Sequence, residues 1–410
     1  MKTAWQKALR LALTLGIAWP VAAAAASYYV RQTVGDDSRS GTSPQTAWKS
    51  LGKLPAAMHA GDVVYVGPGL YREQITVTNP GEPGRRLLFV ADPTGQHTGD
   101  PPGVVMITGA DPIDESIFVA EPATGVYRAT LPYAVHGVVE MDGPQYRYRR
   151  ARDAREHLVE KLPEREVVNR LPSSYFFDRE ASTLYVHTSD GEPPTAHEIE
   201  IIRRGTGIGV WGKPYVTVMG FAFRHMGDAA ISFFRGSDHG AALDNVSYGG
   251  RQGIRVYGSK DVLVYGNTLF RNDNSGVYFA LESTDGRAIG NVAYENVKGV
   301  RWSSKSANAV VLDNALFENH EAGIVFEDAD DALVRRNTVV GNGRSQLLVI
   351  RSRYSSETNC LEIRSPEQLV ADFVFLERYP TLAGYREGKR QDLHSRDGGC
   401  PLPGKVDVRR

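Results

Sequence analysis

The chain predicts an all-β fold, a right-handed parallel β-helix of three sheets, on three observations between Leu243 and Asn342. Asparagines recur at Asn245, Asn267, Asn291, Asn314 and Asn337, spaced 22, 24, 23 and 23 residues apart. A second asparagine follows five residues later at Asn272, Asn296, Asn319 and Asn342. A glycine with Ile or Val then returns as Gly253-Ile254, Gly276-Val277, Gly299-Val300 and Gly323-Ile324. A period in this range marks a solenoid. Leucine-rich repeats are the competing architecture, but the Leu-x-x-Leu-x-Leu frame and its helical half are missing. Short alternating runs such as Ile254–Tyr257 and Ile324–Glu327 fit three strands per turn.

The same period assigns the asparagines a structural task. A buried amide at a tight bend can bond its equivalent one turn away. Leaving such a group unpaired costs about 1–3 kcal/mol. Asparagine also tolerates left-handed backbone at the bend.

Composition narrows the classes of partner. The 410 residues carry a net charge of −1, with 42 glycines and 19 tyrosines. No global field draws nucleic acid or an anionic membrane. Residues 1–26 read as a secretory signal: Lys2, Lys7 and Arg10 precede the apolar Leu11–Ala18 and the small pair Ala24-x-Ala26. No later segment is apolar enough to span a bilayer, so the expected location is periplasmic or secreted, and the expected state a monomer. Cys360 and Cys400 are the only cysteines. In an exported chain they pair as one disulfide closing a long loop.

Taken in order, residues 27–109 form a cap and the first coils. An amphipathic helix over 46–59 carries Trp48, Leu51 and Leu54 to one side and shields the open end of the solenoid. The strand run Val63–Val66 follows. From 110 to 201 the rhythm is lost. The run Gly137-Val138-Val139-Glu140-Met141-Asp142-Gly143 and the pair Tyr175–Asp178 and Leu184–His187 predict an antiparallel β insertion, with a surface helix over 153–171. Coiling resumes over 202–351, and 352–410 is a closing tail.

Several of these stretches resemble the opening of pectate-lyase-like β-helix proteins: Tyr28-Tyr29-Val30, Gly35-Asp36, Gly41-Thr42-Ser43, Ala47-Trp48 and Gly61-Asp62-Val63-Val64-Tyr65-Val66-Gly67-Pro68-Gly69-x-Tyr71. That group contains polysaccharide lyases, epimerases and glycoside hydrolases. The resemblance implies the fold and a polysaccharide or oligosaccharide partner. The Tyr175-x-x-Asp178 and Leu184-Tyr185-Val186 pattern is similar to an insertion beside the substrate groove of some β-helix glycosidases. Segments 356–359 and 382–395 resemble the closing segment of such proteins. The Asp-Pro-His-Asp of mannuronan epimerases is absent, as are the Gly-His-Gly and Arg-Ile-Lys of polygalacturonases. No catalytic residue therefore carries over.

Candidate chemistry comes from side-chain alternation. With Ile254, Val256, Val277, Phe279, Val300, Trp302, Ile324 and Phe326 inside, an outward row remains. It contains Ser232, Phe234, Arg255, Tyr257, Tyr278, Glu282, Arg301, Lys305, Glu327, Asp328 and Arg351, with Lys298 and His320 on the entering turns. Aromatic, basic and acidic groups interleaved over several turns suit a long polar polymer better than a small molecule. A lyase acting on a uronic acid needs its carboxylate neutralised, by Arg301 and Arg255, and a base at C5, from Lys305, Lys298 or Tyr278. Tyr257, Phe234, Lys298, His320 and Arg351 would add substrate contacts. A hydrolase needs two carboxylates, from Glu282, Glu327, Asp328 or Asp273. Arg–Glu pairs between turns are equally ordinary surface ion pairs. Asp328, Asp330 and Asp331 are candidate Ca²⁺ ligands, against a charged loop without metal. A non-catalytic glycan-binding or periplasmic accessory protein is the remaining alternative.

Overall fold

Repeating strand triplets with inward Ile, Val and aromatic residues build three sheets of ten, ten and nine strands, parallel except where the edge strand Glu377–Tyr379 pairs antiparallel with Leu369–Phe373. The computed structural model describes residues 25–123, 125–142, 147–155, 162–374 and 376–406. The proposed secretory signal lies almost wholly outside these residues. One turn of the solenoid runs Thr206–Trp211, Val216–Met219 and Ala222–Arg224, and the next begins at Ala229–Phe234. All eight residues expected inside the helix are at most 1% exposed. Phe279 stacks on Trp302 with ring centroids 4.5 Å apart.

The asparagine ladder is present and longer than its sequence period. Each Nδ2 from Asn245 onward donates to the Oδ1 of the next asparagine at 2.9–3.0 Å, through Asn267, Asn291, Asn314 and Asn337 to Asn359. Backbone N–H groups of the same residues donate to the same oxygens. Asn359 ends the column on Asp392, whose Oδ1 accepts at 2.7 Å. The second column runs from Asn272 through Asn296 and Asn319 to Asn342 and stops on Gln346.

The chain divides into two compact units. One takes the residues up to Ile107 with Thr206–Phe223 and Ala229 onward; the other takes Thr108–Gly205 with Arg224–Asp228. The second unit holds the antiparallel pairs: Gly137–Glu140 on Ile199–Ile202, and Ser174–Asp178 on Thr183–His187. The surface helix expected over 153–171 is instead two short helices, Ala151–Arg155 and Glu164–Arg170, with 156–161 outside the described residues. Val167 and Val168 are buried, so the second helix packs.

The N-terminal cap also departs from expectation. A four-residue helix, Leu54–Ala57, and two 3-10 turns replace a helix over 46–59. Trp48 is drawn into a parallel bridge with Val30 and stacks on Tyr28 at 5.2 Å. Extended backbone at Trp48 and the proline at 55 prevent continuous helix there. Leu51 and Leu54 are still buried. At the other end, helix Leu382–Lys389 is capped by Thr381 and buries Leu382 and Tyr385. Cys360 and Cys400 form the disulfide, with Cα atoms 5.7 Å apart. Among the described residues no helix is long and apolar enough to cross a membrane.

Candidate functional site

Parallel register turns distant residues into vertical neighbours on one wall. Ser232, Arg255, Tyr278 and Arg301 form one file, and Trp211, Phe234, Tyr257 and Ala280 the next. Successive turns are about 4.8 Å apart. Aromatic contact is continuous along the second file and onto the first. Trp211 meets Phe234 at 5.3 Å, Phe234 meets Tyr257 at 6.3 Å, and Tyr257 meets Tyr278 edge-on at 5.3 Å. Trp211 is 37% exposed.

The arginines of this wall are used structurally. Arg255 is buried, donates from Nε to Ser232 Oγ at 3.0 Å and lies over the Tyr257 ring. Arg301 lies over Tyr278, 4.5 Å from its centroid, and pairs with Glu327 through Nε at 3.1 Å and through Nη2. The register partner of Arg301 is Val325, so Glu327 reaches it diagonally from the neighbouring file, where it sits opposite Ser303. Arg351 takes both oxygens of Asp328, at 2.6 and 2.7 Å. These hydrogen bonds from Arg351, with Lys305 nearby, hold the Asp328 carboxyl below its ordinary range. Arg353 engages Asp330 and Asp331. Among the described residues these aspartates do not form a group that could hold a metal ion; each pairs with an arginine instead. Lys298 pairs with Glu321 at the start of its strand, and exposed His320 shares that edge. Lys305 lies seven residues further along, on the order of 20 Å at strand spacing. Lys298 and His320 therefore do not join Lys305.

What does gather is at the far corner of the wall. Gly212, Arg235, Gly258, Leu281, Ser304, Asp328 and Arg351 stack there, all left-handed, with φ of 62°, 40°, 59°, 54°, 56°, 51° and 46°. At two turns the left-handed stretch doubles: Leu281–Glu282 and Ser304–Lys305, with Glu282 at 65° and Lys305 at 63°. Opposite Glu327–Ala329 the strand Lys298–Ala307 bulges between Ser303 and Ser306. A bulge re-aims side chains and is common beside binding sites. Non-glycine residues in such backbone cost about 1–3 kcal/mol each and cluster where strain serves a site. Here they turn Glu282 and Lys305 outward, and both are exposed. Together with Arg235, Gly258, Leu281 and Ser304 they line an open depression of about 520 Å³. Gly258 leaves it open: a Cβ there would lie 3.2 Å from the Leu281 carbonyl and 3.4 Å from Arg235 Cγ. Arg235 covers the Phe234 ring at 5.3 Å. Two cations thus face one carboxylate in a depression beside an aromatic strip. Arg235 escaped the sequence reading, although it stands 23 residues before Gly258 and 46 before Leu281 in the same column.

Comparison with solved structures decides the architecture. A structure titled as XylC with xylose superposes with a TM-score of 0.62 at 16% identity, covering 82% of this chain and 66% of the other. A rhamnogalacturonan lyase gives 0.52 at 12% identity, covering 86% of each. By fold, this chain is a parallel β-helix. The family described as periplasmic copper-binding protein (NosD) matches residues 188–359 of this β-helix. No curated protein matches its sequence.

Proposed function

We propose that this β-helix is an exported enzyme acting on an acidic polysaccharide along the wall from Trp211 to Lys305, by β-elimination. The observation carrying this reading is the corner depression, where Arg235 and Lys305 stand exposed beside Glu282 and an aromatic strip. Sugar rings stack on aromatic faces, and a uronate carboxylate needs a cation. In this reading Arg235 holds the carboxylate and Lys305 Nζ stands at C5 as the base. The C5–H electrons become the C4–C5 double bond, the C4–O bond breaks, and the leaving oxygen takes a proton from water. The disulfide and the periplasmic family description support export.

Glu282 supports a second reading on the same wall. With Glu327 it would supply the acid and base of a glycoside hydrolase. Incubation with a panel of polyuronates separates the two. Unsaturated, ultraviolet-absorbing products assign a lyase, and new reducing ends without that absorbance assign a hydrolase. Tight binding with neither product assigns a glycan-binding protein and overturns both enzyme readings.

A further inference from the structure

The second unit contains a group of side chains that the polysaccharide reading does not use. Glu140 ends strand Gly137–Glu140, which pairs antiparallel with Ile199–Ile202, so that Glu140 faces Ile199. The ladder continues one step as Met141 N–H donates to Glu198 O at 2.8 Å. Asp142, two residues beyond Glu140, and His197, two residues before Ile199, are thereby brought to the same end of the sheet. Asp190 reaches it from the turn after Thr183–His187.

The contacts around His197 are asymmetric. Its side chain is 8% exposed. One ring nitrogen, Nε2, lies 3.1 Å from Asp190 Oδ1, within hydrogen-bond reach. The other, Nδ1, has Glu140 Oε1 at 3.7 Å and Asp142 Oδ2 at 3.8 Å, both beyond hydrogen-bond reach. Nδ1 and the two carboxylates thus stand close together without a hydrogen bond between them. The carboxylates are themselves held. Glu140 is 0% exposed and accepts from Tyr148 Oη, Ser189 Oγ and Ser189 N–H. Asp142 Oδ1 accepts the Glu198 N–H at 2.9 Å, which leaves Oδ2 for the group. One ligand atom from each of the three residues falls within 4.8 Å of the others. Tetrahedral coordination at about 2.0–2.2 Å sets ligand atoms about 3.4 Å apart. The observed spacings exceed that by a few tenths of an ångström for the nitrogen–oxygen pairs.

We infer that Glu140, Asp142 and His197 form a binding site for a divalent transition-metal ion of the Zn²⁺ class. His197 Nδ1 and the two carboxylates supply three ligands, and a fourth position is left to solvent or an anionic ligand. Asp190 orients the imidazole from outside the coordination sphere, and Tyr148 and Ser189 orient Glu140, the arrangement that tunes bound metals elsewhere. An imidazole among the ligands favours Zn²⁺ over Ca²⁺, which takes six to eight oxygens. This site is independent of the corner depression and of any activity there.

The test is calorimetric titration of the chelator-treated full chain with ZnCl₂. One ion should bind per chain, with Ca²⁺ at equal concentration failing to compete. Asp142→Asn, at a position with 40% of its side chain exposed, should weaken binding at least tenfold while the circular dichroism of the chain is unchanged. Asp190→Asn should weaken it about 10–100-fold, as loss of an orienting partner does. The control Asp328→Asn should leave binding unchanged. Absence of stoichiometric Zn²⁺ binding, or equal affinity in the wild type, Asp142→Asn and His197→Ala, would overturn the assignment. Preference for Ca²⁺ would overturn it as well.

Discussion

Lys305 and Arg301 differ by four positions and by everything that decides whether a cation can meet a substrate. Arg301 spends its guanidinium on Glu327 and the Tyr278 ring, whereas Lys305 is carried outward by the bulge into open solvent. Replacing Lys305 or Arg235 with alanine should lower kcat/KM by at least 100-fold and 10-fold respectively, read in a uronate-cleavage assay. Thermal unfolding should show stability within about 0.5 kcal/mol, as expected for exposed sites. Arg301→Ala should do the reverse and cost about 1 kcal/mol of stability, the usual value for losing such a pair. Asp244 provides a residue-scale test of pH dependence. Burial pushes its carboxyl up to about 6, above an ordinary value of 3.8. Between those values the folded state binds more protons than the unfolded one, so stability falls as pH rises from about 4 to 6. Asp244→Asn should therefore raise the melting temperature at pH 7. The gain, up to about 2 kcal/mol after allowance for solvent, should vanish below pH 4.

At the scale of the element, the asparagine columns tie one turn to the next. Asn291 accepts from the backbone and side chain of Asn267 and donates to Asn314. Asn291→Ala strands these buried groups and should cost about 3 kcal/mol, measured as a shift in denaturant midpoint. The spacing of the asparagines is what made the coil legible, because identical residues at one bend must recur once per turn. Inward and outward faces of Ile254–Tyr257 followed directly from alternation. Local deviations from the period were not readable. The bulge at Ser304–Lys305 adds one residue without changing the residue types around it. Val325 stands opposite Arg301 in regular register, and the one shift in this strand pair falls between Ser303 and Ser306. The cap failed as a helix because Trp48 found a strand partner in Val30, a long-range bridge that amphipathic spacing does not encode.

Across the whole chain the repeat was the clearest signal; the adjacent antiparallel pair Ser174–Asp178 and Thr183–His187 was legible from alternation, but pairings between distant strands were not. The meeting of Glu140 with His197 is an antiparallel contact between strands about sixty residues apart, and no periodic signal announces it. The closing tail is similar: Asp392, inside the disulfide loop, caps a ladder whose last asparagine, Asn359, stands one residue before that loop begins. Closing that loop of 40 residues restricts the unfolded chain by about 4 kcal/mol. A Cys360→Ser, Cys400→Ser double variant should lose about that much stability by denaturant titration, while the corner depression keeps its affinity for substrate. The central claim concerns where a sugar chain lies. Diffraction from Lys305→Ala crystals soaked with an oligouronate tests it most directly. Sugar rings should lie along Trp211, Phe234 and Tyr257, with a carboxylate against Arg235. An oligouronate bound on either of the other two sheets would contradict it.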